Sequence, residues 1–272
     1  MPAKGNSLHI ALNFENPDHY GGWDGELKAC EFDAKDMRSI AKSRRFKANL
    51  LLTRRATSDA VIAGILAAAA ELKSGDIFFL TYSGHGGQVP DTNGDETDPE
   101  RQDETWVLWD RQLVDDELWD LWARFKSGVR IVVLSDSCHS GTVTRQMPAF
   151  PRTGPAPRIR MLPPRQAAKV YRQNEALYDG IQDAMPAGEN RRIRPTVILI
   201  SGCQDNQFSL DGRRNGLFTQ TLRDVWRRGR FAGSYRRFRD EIAQRMPAQQ
   251  TPNYSVVGPA NPSFESQVPF TL

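Results

Sequence analysis

Ile131-Val132-Val133-Leu134-Ser135-Asp136-Ser137-Cys138-His139-Ser140-Gly141 begins as an apolar, mostly β-branched run and stops on a small polar cluster. A short apolar run of this kind, bounded by turn-forming residues, reads as a fully buried strand. Asp76-Ile77-Phe78-Phe79-Leu80-Thr81-Tyr82 has the same grammar and is followed by Ser83-Gly84-His85-Gly86-Gly87. In an open parallel sheet the chemistry sits just beyond the carboxyl ends of the strands. Two buried strands therefore deliver one thiol and one imidazole to the same rim.

The flanking sequence supports a sheet. Leu8 to Phe14 alternates loosely and reads as a first strand, and Asn16 to Gly25 as a loop. A helix follows from about Glu26, with Leu27, Cys30, Ala34, Met37 and Ile40 near helical period. Asn49 to Thr53 reads as a second strand. Thr57-Ser58-Asp59 offers N-caps for a helix reaching Lys73. Strand, helix, strand, helix, strand implies right-handed crossovers and an α/β/α sandwich: a mostly parallel central sheet with helices on both faces. Asp115 to Phe125 reads as a helix with Asp115, Asp116 and Glu117 at its positive end. Thr196 to Ser201 is another buried strand, Gly216 to Trp226 and Tyr235 to Met246 are helices, and Gln250 to Val257 is an edge strand, where Pro252 is tolerated.

Between these lies a segment of different character. Residues 142–195 are rich in proline and arginine, with one modest helix expected from Arg165 to about Tyr178. One catalytic domain with a long internal loop accounts for residues 1–272: a first part over about 8–145, the loop over about 142–195, and a second part over about 196–272.

Composition narrows the function. The chain of 272 residues can bury a full core without disulfide staples. Three cysteines, at positions 30, 138 and 203, show no metal-like spacing and suit a reduced, cytoplasmic setting. Neither a signal peptide nor a run long enough to span a bilayer is evident. The net charge of +3 conceals a segregation: residues 91–120 hold twelve Asp or Glu against two Arg, and residues 137–174 hold seven Lys or Arg and no acid. The arginines are interleaved with proline and glycine, as in a solvated loop, so nucleic acid is not the expected partner.

The thiolate, not the thiol, attacks a carbonyl, and a nearby imidazole or helix N-terminus lowers a cysteine's pKa. Cys138 gains both if a short helix follows it. His139 is adjacent but points to the opposite face of an extended segment, so His85 is the better base. His9 and His19 read as a core and a loop histidine. Amides at Gly86 and Cys138 offer an oxyanion hole, each donor worth about 3 kcal/mol toward a tetrahedral intermediate.

Tyr82-Ser83-Gly84-His85-Gly86 and Asp136-Ser137-Cys138-His139-Ser140-Gly141 resemble the two catalytic motifs of metacaspases, in the caspase-like clan of cysteine peptidases. The spacing of 53 positions between His85 and Cys138 is near the roughly 50 typical of caspases. Leu27 to Ala34, Ile200 to Gln207, Gly216-Leu217-Phe218-Thr219 and Gln250-Thr251-Pro252 resemble further landmarks of the family. The resemblance implies a Cys-His dyad cleaving proteins after Arg or Lys through an acyl-enzyme, with S1 walls at Cys30, Asp33, Ser83 and Asp136. Independently, Asp136 lies two residues before the nucleophile, and two carboxylates in one pocket attract a guanidinium or ammonium and can hold arginine bidentately. The resemblance also implies calcium, with Asp103, Asp115 and Asp116 matching three carboxylate ligands and Arg145 standing where a fourth belongs. No cofactor is needed for the chemistry itself. The loop at 142–195 sits where the family is cut between its two parts, so self-processing at an Arg or Lys, an upstream activator and a zymogen state are expectations, as is a monomer. The rival readings are a catalytically silent scaffold and the same fold with another P1 preference.

Overall fold

The computed structural model describes residues 2–96, 101–138, 158–185, 188–204 and 207–272. Six strands form the main sheet in the order β2-β1-β3-β7-β8-β9. They are β1 (Gly5–Ala11), β2 (Lys47–Leu52), β3 (Ile77–Ser83), β7 (Arg130–Asp136), β8 (Thr196–Ser201) and β9 (Ser255–Val257). All neighbours run parallel except β8 and β9, which pair antiparallel. This is the predicted α/β sandwich.

Alternation along the strands builds two cores, one on each face. Phe78, Leu80, Ile131 and Val133 join one core with Val61 and Ile65 of α2 (Ser58–Glu71) and Leu121 and Trp122 of α3 (Asp115–Ala123). Phe79, Val132, Leu134, Ile198 and Ile200 join the other with α1 (Cys30–Ser43), α6 (Leu217–Trp226) and α7 (Tyr235–Ala243), closed by Phe264 of α8 (Pro262–Ser266). Thr57 caps α2, its hydroxyl accepting from the Ala60 amide at 3.2 Å. His9 is a core residue, both ring nitrogens 2.9 Å from a hydroxyl, those of Thr81 and Ser7.

Three features depart from the sequence expectations. A second, antiparallel sheet of β4 (Gly86–Pro90), β5 (Gln102–Val107) and β6 (Gln112–Val114) rises from the His85 end of β3. The edge strand is only Ser255–Val257, so among the described residues the main sheet ends on three half-buried positions. The helix expected from Arg165 to Tyr178 is two helices, α4 (Pro164–Gln173) and α5 (Glu175–Asp183), broken at Asn174. Val170 and Tyr178 of this pair are buried against Tyr20, Val89, Val107, Val114 and Leu162, so the pair is docked on the second sheet.

Candidate active site

The register of the sheet assembles the site. Ser83 and Asp136 end adjacent parallel strands and are direct partners. Two positions further along the chain, His85 and Cys138 leave those strands on the same rim. Asp33 enters from the first turn of α1 and is 1 % exposed. Its Oδ2 accepts from Ser83 Oγ at 2.8 Å, and its Oδ1 from the Gly216 amide at 3.1 Å and Asn215 Nδ2 at 2.8 Å. Asp136 accepts from Ser209 Oγ at 2.6 Å and from Thr219 Oγ1 at 2.6 Å. Cys30 is buried beside them, and that burial pushes its thiol well above the usual range.

An arginine occupies this acidic pocket. Arg160, from the segment expected to be a solvated loop, is completely buried. That expectation is corrected here: one guanidinium surrounded by carboxylates is cheaper to bury than it is to leave those carboxylates alone. Nη1 donates to Ser83 Oγ at 2.9 Å and pairs with Asp136 Oδ2 at 2.9 Å. Nη2 donates to Asp33 Oδ2 at 2.7 Å and Asp211 Oδ1 at 3.0 Å. Burial alone would lower the guanidinium's pKa, but the charges of Asp136, Asp33 and Asp211 carry it well above its ordinary value. Burial likewise raises Asp33 to about 6, with Arg160 working against it. Gly216 lets the backbone lie flat on this group: a Cβ there would sit 2.6 Å from Arg160 Cζ.

The main chain of Arg160 is held as tightly as its side chain. Its carbonyl oxygen accepts from the Gly86 amide at 3.1 Å and the Cys138 amide at 3.0 Å, the two donors proposed from sequence for an oxyanion. Its amide donates to Ser209 O at 3.0 Å, and Asp211 N donates to Arg158 O at 2.8 Å. Beyond the carbonyl, Leu162 N donates to Gly86 O at 2.7 Å. Residues 158–162 thus lie extended across the rim, bridged antiparallel to Leu210 on one side and parallel to Gly86 on the other. Arg158 pairs with Glu26 at 2.9 Å at the exposed end.

His85 is 4 % exposed and is oriented by the backbone. Its Nε2 lies 2.7 Å from Gly25 O. A carbonyl can only accept, so Nε2 carries the proton and Nδ1 keeps its lone pair. Nδ1 is buried and makes no hydrogen bond of good geometry, although the Met161 backbone lies close enough to favour the protonated ring. Burial lowers the imidazole's pKa to about 4, the Gly25 carbonyl pulling the other way, so His85 is neutral at neutral pH. Trp23 packs edge-on against the ring, centroids 4.8 Å apart. The Tyr82 hydroxyl, 2.6 Å from His85 O and 2.9 Å from Val107 O, fixes the turn that carries it.

Cys138 is completely buried, and its Sγ donates to Gln207 O at 2.7 Å rather than to His85. Cys203 packs beside it with Phe208, its own thiol donating to Ser137 O at 3.3 Å. The structure therefore brings His85, Cys138, Gly86, Cys30, Asp33, Ser83 and Asp136 together. His139, Arg145 and the helix expected after Cys138 lie outside the described residues. Sequence reasoning missed Asp211 and Arg160. The alternation of Arg158-Ile159-Arg160-Met161, polar and apolar in turn, is the one local signal for an extended segment there.

The carboxylates expected to hold calcium are split. Oxygens of Asp91, Asp95 and Asp103 lie within 4.8 Å of one another. Asp116 reaches the same place, because a Cβ on Gly188 would meet both Asp95 Oδ2 and Asp116 Oδ1. Asp115 instead accepts from the backbone amide of Glu104 at 3.3 Å.

The Caspase domain model (Peptidase C14) matches residues 9–267, and the chain belongs to that family. Metacaspase-1 of Mycosarcoma maydis is 29% identical over 251 residues, covering 80% of this chain and 60% of its own length. Metacaspase-1 of Schizosaccharomyces pombe is 27% identical over 259 residues, covering 82% and 59% respectively. The chain thus spans about 60% of the length of these curated relatives. A crystal structure of protein GSU0716 from Geobacter sulfurreducens superposes with a TM-score of 0.89 at 49% identity, covering 99% of both chains. Caspase-1 from Spodoptera frugiperda shares the fold, with a TM-score of 0.53 at 13% identity over 94% of this chain and 86% of that one. The chain is a metacaspase-like member of the caspase family. No helix among its described residues is long and apolar enough to cross a membrane.

Proposed function

We propose that the chain is a cysteine endopeptidase that cleaves after arginine, and less well after lysine, with Cys138 as nucleophile and His85 as base. One observation carries this reading: an arginine side chain sits among three carboxylates while its own carbonyl oxygen rests on the Gly86 and Cys138 amides. In the reaction the Cys138 thiol turns from Gln207 O to His85 Nδ1 and gives up its proton. The thiolate adds to the P1 carbonyl carbon, and the two amides hold the developing oxyanion. The C–N bond breaks as His85 returns the proton to the leaving amine. Water, deprotonated by His85, then releases the acid and restores the thiol.

The preference for arginine has a geometric basis. The two terminal nitrogens face opposite sides of the pocket, one toward Ser83 and Asp136, the other toward Asp33 and Asp211. A single ammonium cannot span both sides. Among peptides with Arg, Lys, Asp or Asn at P1, arginine is expected to give the highest kcat/KM, at least tenfold above lysine, with no turnover of Asp or Asn. Turnover of the Asp peptide would refute the pocket assignment, and silence on every peptide from a variant that lacks the Arg160 side chain favours the scaffold.

A calcium-stabilised form is supported by a separate observation. Asp103 is 1 % exposed, and its Oδ2 is buried without a hydrogen-bond partner. The oxygens of Asp91 and Asp95 gather beside it, and carboxylate oxygens suit a hard divalent cation. Asp91, Asp95, Asp103 and Asp116 would hold the ion, which would cancel their mutual repulsion. Asp103 lies on β5, which pairs with β4 and so braces the Gly86 amide. Calcium is expected to raise the melting temperature of the wild type and to leave that of Asp103→Asn unchanged. An equal rise in both would remove Asp103 from the site.

A further inference from the structure

We infer that Arg160 is a tethered inhibitor of the acidic pocket, and that removing it, rather than cutting the chain after it, opens the site. The inference rests on the pocket assignment above only for the cutting step. The occupancy itself stands on the contacts around Arg160.

Arg160 holds every position that an incoming P1 residue needs: the carboxylates, the two amides, and the Ser209 carbonyl. A substrate cannot enter while it is there. The bond placed for attack is Arg160–Met161. Cleavage joins Cys138 Sγ to the Arg160 carbonyl carbon and passes a proton to the Met161 nitrogen. Hydrolysis then leaves a carboxylate on Arg160 and a free thiol on Cys138.

None of the contacts that seat Arg160 is broken by that cut. The guanidinium keeps its three carboxylates. The new carboxylate can still accept from Gly86 and Cys138. Asp211 still binds the Arg158 carbonyl, and Glu26 the Arg158 side chain. On the other side, Leu162 stays buried in the cluster made by α4, α5 and the second sheet, with its amide on Gly86 O. Only 21 residues separate Cys138 from Arg160, so the cut end remains joined to the nucleophile's own strand. An intramolecular ligand on a short tether acts at an effective concentration on the order of 1 mM. A peptide supplied at about 10 μM therefore competes at roughly a hundredfold disadvantage.

This predicts an inversion of ordinary zymogen behaviour, in which blocking the cut blocks activity. Arg160→Gln cannot be cut after residue 160 by an arginine-specific enzyme, yet it is expected to hydrolyse an Arg-P1 peptide at least tenfold faster than the wild type at 10 μM substrate. In the wild type, the rate is expected not to rise with the nicked fraction measured by intact mass. A fully nicked wild type as fast as Arg160→Gln would overturn the inference.

A binding measurement keeps the test independent of turnover. In the Cys138→Ala background, agmatine, which carries the guanidinium alone, is expected to raise the melting temperature of Arg160→Gln and not that of the parent. Equal responses would overturn the inference. If that difference appears while every variant is silent on peptides, the tethered inhibitor stands and the peptidase reading falls. Should Arg160→Gln fail to fold with its carboxylates uncompensated, Arg160→Lys replaces it in both measurements. It keeps a cation but loses the two-sided grip, and it is expected to respond to agmatine in the same direction. A response no greater than the parent's would count against the inference.

Discussion

Cys138→Ala is expected to abolish hydrolysis of an Arg-P1 peptide, and His85→Ala to lower kcat/KM by about 10²–10⁴-fold, the usual range for a lost general base. Both belong in the Arg160→Gln background, where the pocket is open. The physical basis is the buried Nδ1 of His85 and the carbonyl that fixes its tautomer. The pH dependence follows. Burial holds the His85 pKa down at about 4, so the imidazole is an unprotonated base throughout the neutral range. The acid limb of kcat/KM is therefore expected below pH 6, with activity lost as the pH falls through the His85 value. An acid limb near 6.5, the ordinary histidine value, would mean that the ring is solvated in the working enzyme. The same lowering gives the stability sign. The unfolded chain protonates this ring near 6.5 and the fold does not until about 4, so the His85 contribution is lost as pH falls between those values.

The sheet was legible because it is written locally. Ile77 to Leu80 and Ile131 to Leu134 can only be buried strands, and the abrupt change to small polar residues marks their rim. Placing His85 and Cys138 together required no more than the rule for strand ends. The second sheet was not legible. Its strands open on Gly86-Gly87 and carry Asp103 and Glu104, residues that read as turn and solvated loop until the antiparallel partners are known. Arg160 was illegible for a deeper reason. Its partners Asp33 and Asp211 lie 127 and 51 positions away, and no local pattern encodes a pairing over that distance. Proline and arginine in its neighbourhood signal solvent exposure on average, yet burial is decided by what the rest of the fold presents. Asp211 had no motif around it, so the third carboxylate appears only in three dimensions.

Asp136→Asn is expected to destabilise the fold, and the cause is separable by a double-mutant cycle. Asp136 binds Arg160, Ser209 and Thr219 at once and is 2 % exposed. Removing its charge weakens contacts to three partners, and a hydrogen bond to a charged group is worth about 1.5–3 kcal/mol, although Asp33 and Asp211 still neutralise the guanidinium. For a chain of this size a loss at the upper end of that range corresponds to a fall of about 10 °C in melting temperature. The pocket holds three carboxylates against one guanidinium, and burial already raises Asp33 to about 6. With Arg160→Gln in place, the sign of the second change reverses. Asp136 is then one of three like charges in a small buried space, and Asp136→Asn relieves repulsion instead of removing one of the guanidinium's counterions. The double variant is expected to be no less stable than Arg160→Gln alone, with a coupling of at least about 2 kcal/mol between the two positions. Additive losses would show that Asp136 acts through Ser209 and Thr219, and that the arginine is a passenger in a pocket held together without it. In activity, Asp136→Asn in the open background is expected to cut kcat/KM for the Arg peptide by about a hundredfold, in keeping with the loss of a buried charge-assisted contact of roughly 3 kcal/mol.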